Sequence, residues 1–328
     1  MDKITKKSIT LLDAPQIFKP MKYTWAYEAW LKQNQLHWLP EEIPLAEDVK
    51  DFNIGISPQE RNLITQIFRF FTQSDVLIGG AYVDSYLKVF KPNDIRMMLM
   101  TFANMETIHA VSYAHLMDTI GLPEIEYQAF LKYKEMKDKS DYLKNFNMDS
   151  KRDIAKSLAV FSAFFEGLQL FASFAILLNF SRFNKFKGMA QIITYSIRDE
   201  TLHVQSMIKL FRTFISENPE IWDDSLKGEI YQIAKDMVEH ENLFIDLAFE
   251  QGGIQGLTSD EMKEYIKYVA DRRLLQLGLK PNFGVKDNPL SWIDVILNAP
   301  EHSNFFETKS TEYSRATSTG EWSDVFKI

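Results

Sequence analysis

Two stretches of this chain repeat one chemical pattern: Glu106-Thr107-Ile108-His109 and Glu200-Thr201-Leu202-His203. On an α-helix, residues three apart share a face, about 60° from each other around the axis. Each motif therefore aims a carboxylate and an imidazole at one point. Two such motifs on facing helices, with one carboxylate from each of two more helices, build a dinuclear metal site inside a bundle. Such a site binds two iron or manganese ions and reacts with oxygen.

Two isolated carboxylates fit the missing places. Asp75 lies in Phe70-Phe71-Thr72-Gln73-Ser74-Asp75-Val76-Leu77, and Glu166 in Phe164-Phe165-Glu166-Gly167-Leu168. Four carboxylates and two imidazoles carry a formal charge of −4, which two divalent ions neutralise. Oxygen and imidazole donors suit iron and manganese alike. A single Glu-x-x-His usually marks a solvated helix face. Two copies, with two carboxylates in apolar helices, outweigh that reading. Tyr113 follows Glu106 by seven residues, on the same face. It is either an ordinary core tyrosine or a phenol that an oxidised metal pair can oxidise, with Asp75 as its expected hydrogen-bond partner. His115 falls off this stripe, His240 is expected on a polar face, and His37 and His302 read as loop residues.

The elements that must position these groups read as helices. Ser57-Pro58-Gln59-Glu60 is a capping box with proline at the first helical position, opening a helix to about residue 89. A second helix runs from about 94 to 120, closed by Gly121 and Pro123. A shorter one is expected around 127–137. Two long helices follow at about 151–180 and 187–216, then one at about 224–251. Thr258-Ser259-Asp260-Glu261 opens another, to about 277. No β-alternation of useful length appears. Residues 1–20, broken by Pro15 and Pro20, read as an irregular arm, and 21–295 as one all-α helical domain. Residues 296–328 read as a flexible tail that still carries Phe305, Phe306, Tyr313, Trp322 and Phe326, as a segment that docks on a partner would.

Composition narrows the function. A hydrophobic content of 45% and a charged content of 25% are those of an ordinary soluble globular protein. A net charge of −8 without a long basic run argues against nucleic-acid binding. With no cysteine there is neither a disulfide framework nor a thiolate metal site. No signal peptide is expected. Leu158 to Phe180 is apolar enough to imitate a membrane span, but Glu166 near its middle would be costly in lipid. A helix buried on nearly all sides is the expectation, with a metal as the partner of Glu166.

Over about residues 21–328 the chain resembles the small, radical-generating subunit of class I ribonucleotide reductase. The resemblance rests on Asp75, on Met105-Glu106-Thr107-Ile108-His109 with Tyr113, on Phe165-Glu166-Gly167, and on Ile197-Arg198-Asp199-Glu200-Thr201-Leu202-His203. Trp38 with Leu39-Pro40-Glu41-Glu42, and Phe305-Phe306-Glu307-Thr308-Lys309 with Tyr313, also match. It implies a ferritin-like bundle with additional helices, acting as part of ribonucleoside-diphosphate reductase. One metal would be held by Asp75, Glu106 and His109, the other by Glu166, Glu200 and His203, with Glu106 and Glu200 bridging. The pair would be Fe/Fe, Mn/Mn or Mn/Fe, activated by O2 or superoxide. Tyr113 matches the radical-forming tyrosine, and Phe164, Leu168, Phe171 and Phe174 are expected to keep it dry. Trp38 and Asp199 match the start of a long-range radical path, with Asp199 linking Trp38 to His109, and Tyr313 matches its relay in the tail. Trp322, Val325, Phe326 and Ile328 match the segment that docks on the large subunit. The resemblance further implies a homodimer in the cytoplasm, with no membrane or nucleic-acid partner.

Ser196 departs from the family pattern. It stands four residues before Glu200, where many members carry an aliphatic residue, with Tyr195 polar beside it. A hydroxyl there is placed to hydrogen-bond Tyr113. Two competing readings are a stand-alone ligand-binding oxidase and an iron-storage protein on the same fold. Neither has a use for Tyr313 or a docking tail.

Overall fold

The computed structural model describes residues 9–129 and 147–297. Among them there is no β-strand, only an isolated bridge between Ile254 and Leu257. The all-α expectation holds. The chain divides into two units, Met1–Ser291 and Trp292–Ile328. The first contains α1 (Thr24–Gln35), α2 (Ala46–Lys50), α3 (Pro58–Ala81), α4 (Leu87–Val89), α5 (Asn93–Ile120) and α6 (Ile125–Ala129). After the undescribed interval come α7 (Lys151–Val160), α8 (Phe171–Asn179), α9 (Lys187–Glu217), α10 (Asp224–Ala248) and α11 (Ser259–Leu277). The second unit is described only through residue 297, within α12 (Ser291–Leu297). Tyr313 and the aromatic residues expected to dock on a partner lie outside the described residues.

Local hydrogen-bond chemistry sets several helix ends. Ser57 Oγ accepts from Glu60 N at 3.2 Å while Glu60 Oε2 accepts from Ser57 N at 2.8 Å, so the capping box starts α3 as expected. Thr258 and Glu261 do the same for α11. Gly121, at φ 84°, ends α5 in the left-handed conformation that costs glycine nothing. The expected helix at 127–137 starts earlier, as α6, and its remainder lies outside the described residues. α9 is capped from a distance: Asp48 accepts from Gly188 N at 3.0 Å and Met189 N at 2.7 Å, and Asp51 accepts from Phe186 N at 2.8 Å.

Two expected helices are not continuous. The helix that starts with α3 passes through a π-helical segment at Tyr82–Tyr86 before α4. The long apolar helix breaks into α7, a π-helical segment at Phe161–Gln169, and α8. A π segment inserts an extra residue into the helical ladder and is commonly found at functional sites. Within the second one, Gly167 has no side chain, and Arg273 of α11 comes in close and donates to its carbonyl at 2.7 Å. By length and composition this composite, Lys151–Phe183, could cross a membrane, but its apolar window is wholly buried in the protein. The core therefore consists of α3, α5, the π segment with its flanking helices, and α9. α3 packs on α5, and α9 packs on α5 and on the π segment. Residues 9–20 are irregular, as expected, yet held down: Leu11 is fully buried and its N–H donates to Glu217 at 2.9 Å.

Candidate dinuclear metal centre

Each core helix delivers its share of one cluster. Asp75 comes from α3, Glu106 and His109 from α5, Glu166 from the second π segment, and Glu200 and His203 from α9. All six are at most 1% exposed. Their ligand atoms form two groups, each within 4.8 Å: Asp75, Glu106 and His109, then Glu106, Glu166, Glu200 and His203. Glu106 belongs to both. Glu200 reaches both imidazoles, 3.3 Å from His109 Nδ1 and 3.8 Å from His203 Nδ1. His203 Nδ1 lies 2.9 Å from Glu106 Oε1.

These donors face one another without hydrogen bonds. Both oxygens of Asp75, Glu106 and Glu200, Oε2 of Glu166 and Nδ1 of both histidines are buried and lack a hydrogen-bond partner. Leaving carboxylates and imidazoles so is costly unless a cation takes their lone pairs. The donor set, all oxygen and imidazole nitrogen, fits a pair of divalent iron or manganese ions.

The electrostatics agree. Burial, reinforced by Glu106, pushes the Asp75 carboxyl well above its ordinary range. Burial, then Glu200 and Glu106, do the same to Glu166, and burial and Glu106 raise Glu200. Glu106 moves down: burial opposes its charge, but His109 and His203 outweigh it. Burial likewise disfavours the charged form of His109, and Asp199, Glu106 and Glu200 overcome that to raise it. Without cations, then, the cluster holds protons that metal ions would displace.

Behind His109 stands Asp199, fully buried. His109 Nε2 lies 3.2 Å from Asp199 Oδ2, which also accepts from Trp38 Nε1 at 2.8 Å. This arrangement orients the imidazole with Nδ1 toward the cluster. Burial works against the Asp199 charge, but His109, then Trp38 and Arg198, hold its carboxyl below the usual range. Sequence reasoning missed Gln33, which donates to Asp199 Oδ1 at 3.1 Å; nothing in its surroundings marked it. Arg198 stacks on the Tyr195 ring at 4.7 Å, and that ring meets Trp38 edge-on at 5.4 Å.

The hydrogen bond expected between Tyr113 and Asp75 is not made. The Tyr113 hydroxyl donates to Ser196 Oγ at 2.9 Å. Asp75 instead has one oxygen within 4.8 Å of ligand atoms of Glu106 and His109. The polar departure at Ser196 thus has a structural role. The rings beside Tyr113 are Phe71, at 4.9 Å between centroids, and Phe68, at 6.4 Å. Of the expected lining, Phe174 lies one ring removed, 5.2 Å from Phe71, and Phe171 stands behind it at 5.8 Å. Phe164 and Leu168 are fully buried. His115 and His37 are exposed, and His240 is half-buried.

Tyr82 was also missed. Fully buried in the first π segment, it donates to Glu166 Oε1. Its position, seven residues after Asp75 on the same helical path, was a usable signal.

Comparison with known proteins gives one answer. The family profile of the ribonucleotide reductase small chain matches residues 16–289. The probable ribonucleoside-diphosphate reductase small subunit of Invertebrate iridescent virus 3 is 43% identical, over 93% of this chain and 86% of its own length. The ribonucleoside-diphosphate reductase subunit beta of Chlamydia pneumoniae is 31% identical, over 90% of this chain and 89% of its own. Among solved structures, the ribonucleotide reductase R2 subunit of Clostridium botulinum superposes with a TM-score of 0.79 at 23% identity, covering 89% of this chain and 98% of that one. The dimanganese(II) NrdF of Streptococcus sanguinis gives 0.75 at 22%, covering 84% and 96%. The two structural likenesses establish the ferritin-like fold.

Proposed function

This chain belongs to the small-chain family of ribonucleotide reductase, and we propose that it stores an oxidising equivalent at a dinuclear metal centre and passes it to a large subunit that reduces ribonucleotides. The observation that carries this reading is the set of six buried ligand side chains in two groups that share Glu106. Asp75, Glu106 and His109 would hold one ion, and Glu166, Glu200 and His203 the other, with Glu106 and Glu200 available to both. The ions are Fe/Fe, Mn/Mn or Mn/Fe. When bound, they supply one-electron oxidising power drawn from O2 or superoxide.

The protein's own groups do the rest. The carboxylates neutralise the cations, and the surrounding aromatic residues exclude water that would quench a stored radical. Tyr113 is the phenol placed to be oxidised, with its O–H held by Ser196 and the Phe68 and Phe71 rings beside it. Asp199 holds His109 and Trp38 on one carboxylate oxygen, a hydrogen-bonded link from the centre toward the outside. Tyr313 in the C-terminal tail continues the path, and the tail's aromatic residues dock on the large subunit. A homodimer in the cytoplasm completes the reading.

Electron paramagnetic resonance tests it. Protein loaded with Fe(II) and exposed to oxygen is compared with a sample given Mn(II) and superoxide. A tyrosyl signal in the iron sample that disappears in Tyr113→Phe assigns the store to Tyr113. A multiline manganese signal in the other sample alone assigns it to the metal pair. With a large subunit present, Tyr313→Phe abolishes nucleotide reduction and leaves metal loading intact; retained turnover would refute the path.

A further inference from the structure

The reading above leaves Tyr82 unused. Its ring meets Phe161 at 5.1 Å, Phe102 at 6.1 Å and His203 at 6.3 Å, all edge-on. Phe102 in turn covers His203, with 4.2 Å between ring centroids. The Glu166–His203 end of the cluster is therefore walled by aromatic rings, and the Tyr82 hydroxyl is the group in that wall that donates to a ligand carboxylate. It bonds to Oε1 of Glu166, while Oε2 is buried without a partner. Tyr113 stands in a different relation to the cluster: its hydroxyl is committed to Ser196.

Glu166 also has the least regular backbone of the six, because it sits within a π segment while the other five sit in α-helices. A side chain on such a mount is oriented chiefly by what grips it. A hydrogen bond fixes one carboxylate oxygen and thereby the direction of the other.

We infer that Tyr82 is a positioning residue for Glu166, holding Oε1 so that Oε2 is the oxygen offered to the ion beside His203. The inference rests on the metal reading above. It makes the two metal positions unequal in a defined way. Loss of the phenol loosens the ion on the Glu166–His203 side and spares the one held by Asp75 and His109. Partners of this kind change metal affinity by about 10–100-fold.

The same π segment supplies a control. Tyr86 is also fully buried, but its hydroxyl bonds to Ser157, 3.1 Å from both the carbonyl oxygen and Oγ, and to none of the six cluster residues. Metal-free full-length protein, Tyr82→Phe and Tyr86→Phe are titrated with Mn(II), following free Mn(II) by electron paramagnetic resonance and heats by calorimetry. Both substitutions keep the ring, and thermal melts of the metal-free forms compare their folds. The expected result is two ions for wild type, one of them weakened about 10–100-fold in Tyr82→Phe, and neither changed in Tyr86→Phe. Two ions in wild type with unchanged affinities in Tyr82→Phe overturn this inference alone. So does equal weakening of both ions, or the same weakening in Tyr86→Phe, because either is what a merely structural role produces. Wild type that binds no Mn(II) overturns the metal reading and this inference with it.

Discussion

Removing the Ser196 hydroxyl should destabilise the protein out of proportion to the single atom lost. Tyr113 is 1% exposed and Ser196 fully buried, so water cannot replace the bond. In Ser196→Ala the phenol keeps its O–H and loses the one acceptor it has in the structure. A buried donor left unsatisfied costs about 1–3 kcal/mol. At about 2.1 cal/mol/K of unfolding entropy per residue, a 328-residue chain shifts by about 1.5 °C per kcal/mol, so Tm falls by about 1.5–4.5 °C. Tyr113→Phe removes the donor, so adding Ser196→Ala to it should cost little. The double-mutant cycle should therefore show a coupling of about 1–3 kcal/mol. The assay is thermal unfolding of the metal-free protein in all four forms, at one fixed protomer concentration because any dimer makes Tm concentration-dependent. Additivity within about 0.5 kcal/mol would refute the reasoning. So would a cycle in which Asp75→Asn, and not Ser196→Ala, couples to Tyr113→Phe, because that puts the phenol on Asp75 after all.

Three further outcomes follow from the same geometry. A Cβ on Gly167 would stand 2.7 Å from Arg273 Nε and 3.0 Å from the Ser162 carbonyl oxygen. Gly167→Ala should therefore cost about 1–3 kcal/mol in denaturant unfolding, and Arg273→Ala should relieve part of it; wild-type stability would contradict the close approach. Asp199→Ala strips Trp38, Gln33 and His109 of a shared acceptor, and should cost about 3–5 kcal/mol and weaken metal binding. Asp199→Ala that melts with wild type would remove Asp199 from its central place. The pH dependence has a definite sign. Asp75, Glu166 and Glu200 are held above the ordinary carboxylate value, so the metal-free fold keeps protons that the unfolded chain loses above about pH 4. The stability those groups lend is present below that value and lost as pH rises through their folded-state values. Cations displace the protons, so Mn(II) affinity, and the rise in Tm it brings, should grow as pH rises above the ordinary carboxylate value of about 4. An increment independent of pH would contradict the proton count.

What the sequence revealed follows from how local each signal is. The capping boxes at Ser57 and Thr258 and the stop at Gly121 are short-range hydrogen-bond chemistry, so composition alone exposes them. The six clustered residues were legible because helical spacing fixes which side chains share a face. It does not fix which way a side chain turns once there, and that is why the sequence offered Tyr113 two partners, Asp75 and Ser196, and only the structure selects Ser196. The π segment at Phe161–Gln169 was hidden because nearly every neighbouring residue is apolar and buried, leaving no polar face to show a change of period. The start of α9 was legible to the residue, but its capping partners were hidden for another reason: Asp48 and Asp51 lie more than a hundred residues away in sequence. Gln33 carried no local mark at all, since only the fold brings α1 against Asp199.

The most direct test of the account is anomalous diffraction from crystals of the protein grown with Mn(II). The account predicts two manganese peaks per chain, one among Asp75, Glu106 and His109 and the other among Glu166, Glu200 and His203, with Glu106 touching both. A single peak, or none at these six residues, would contradict it.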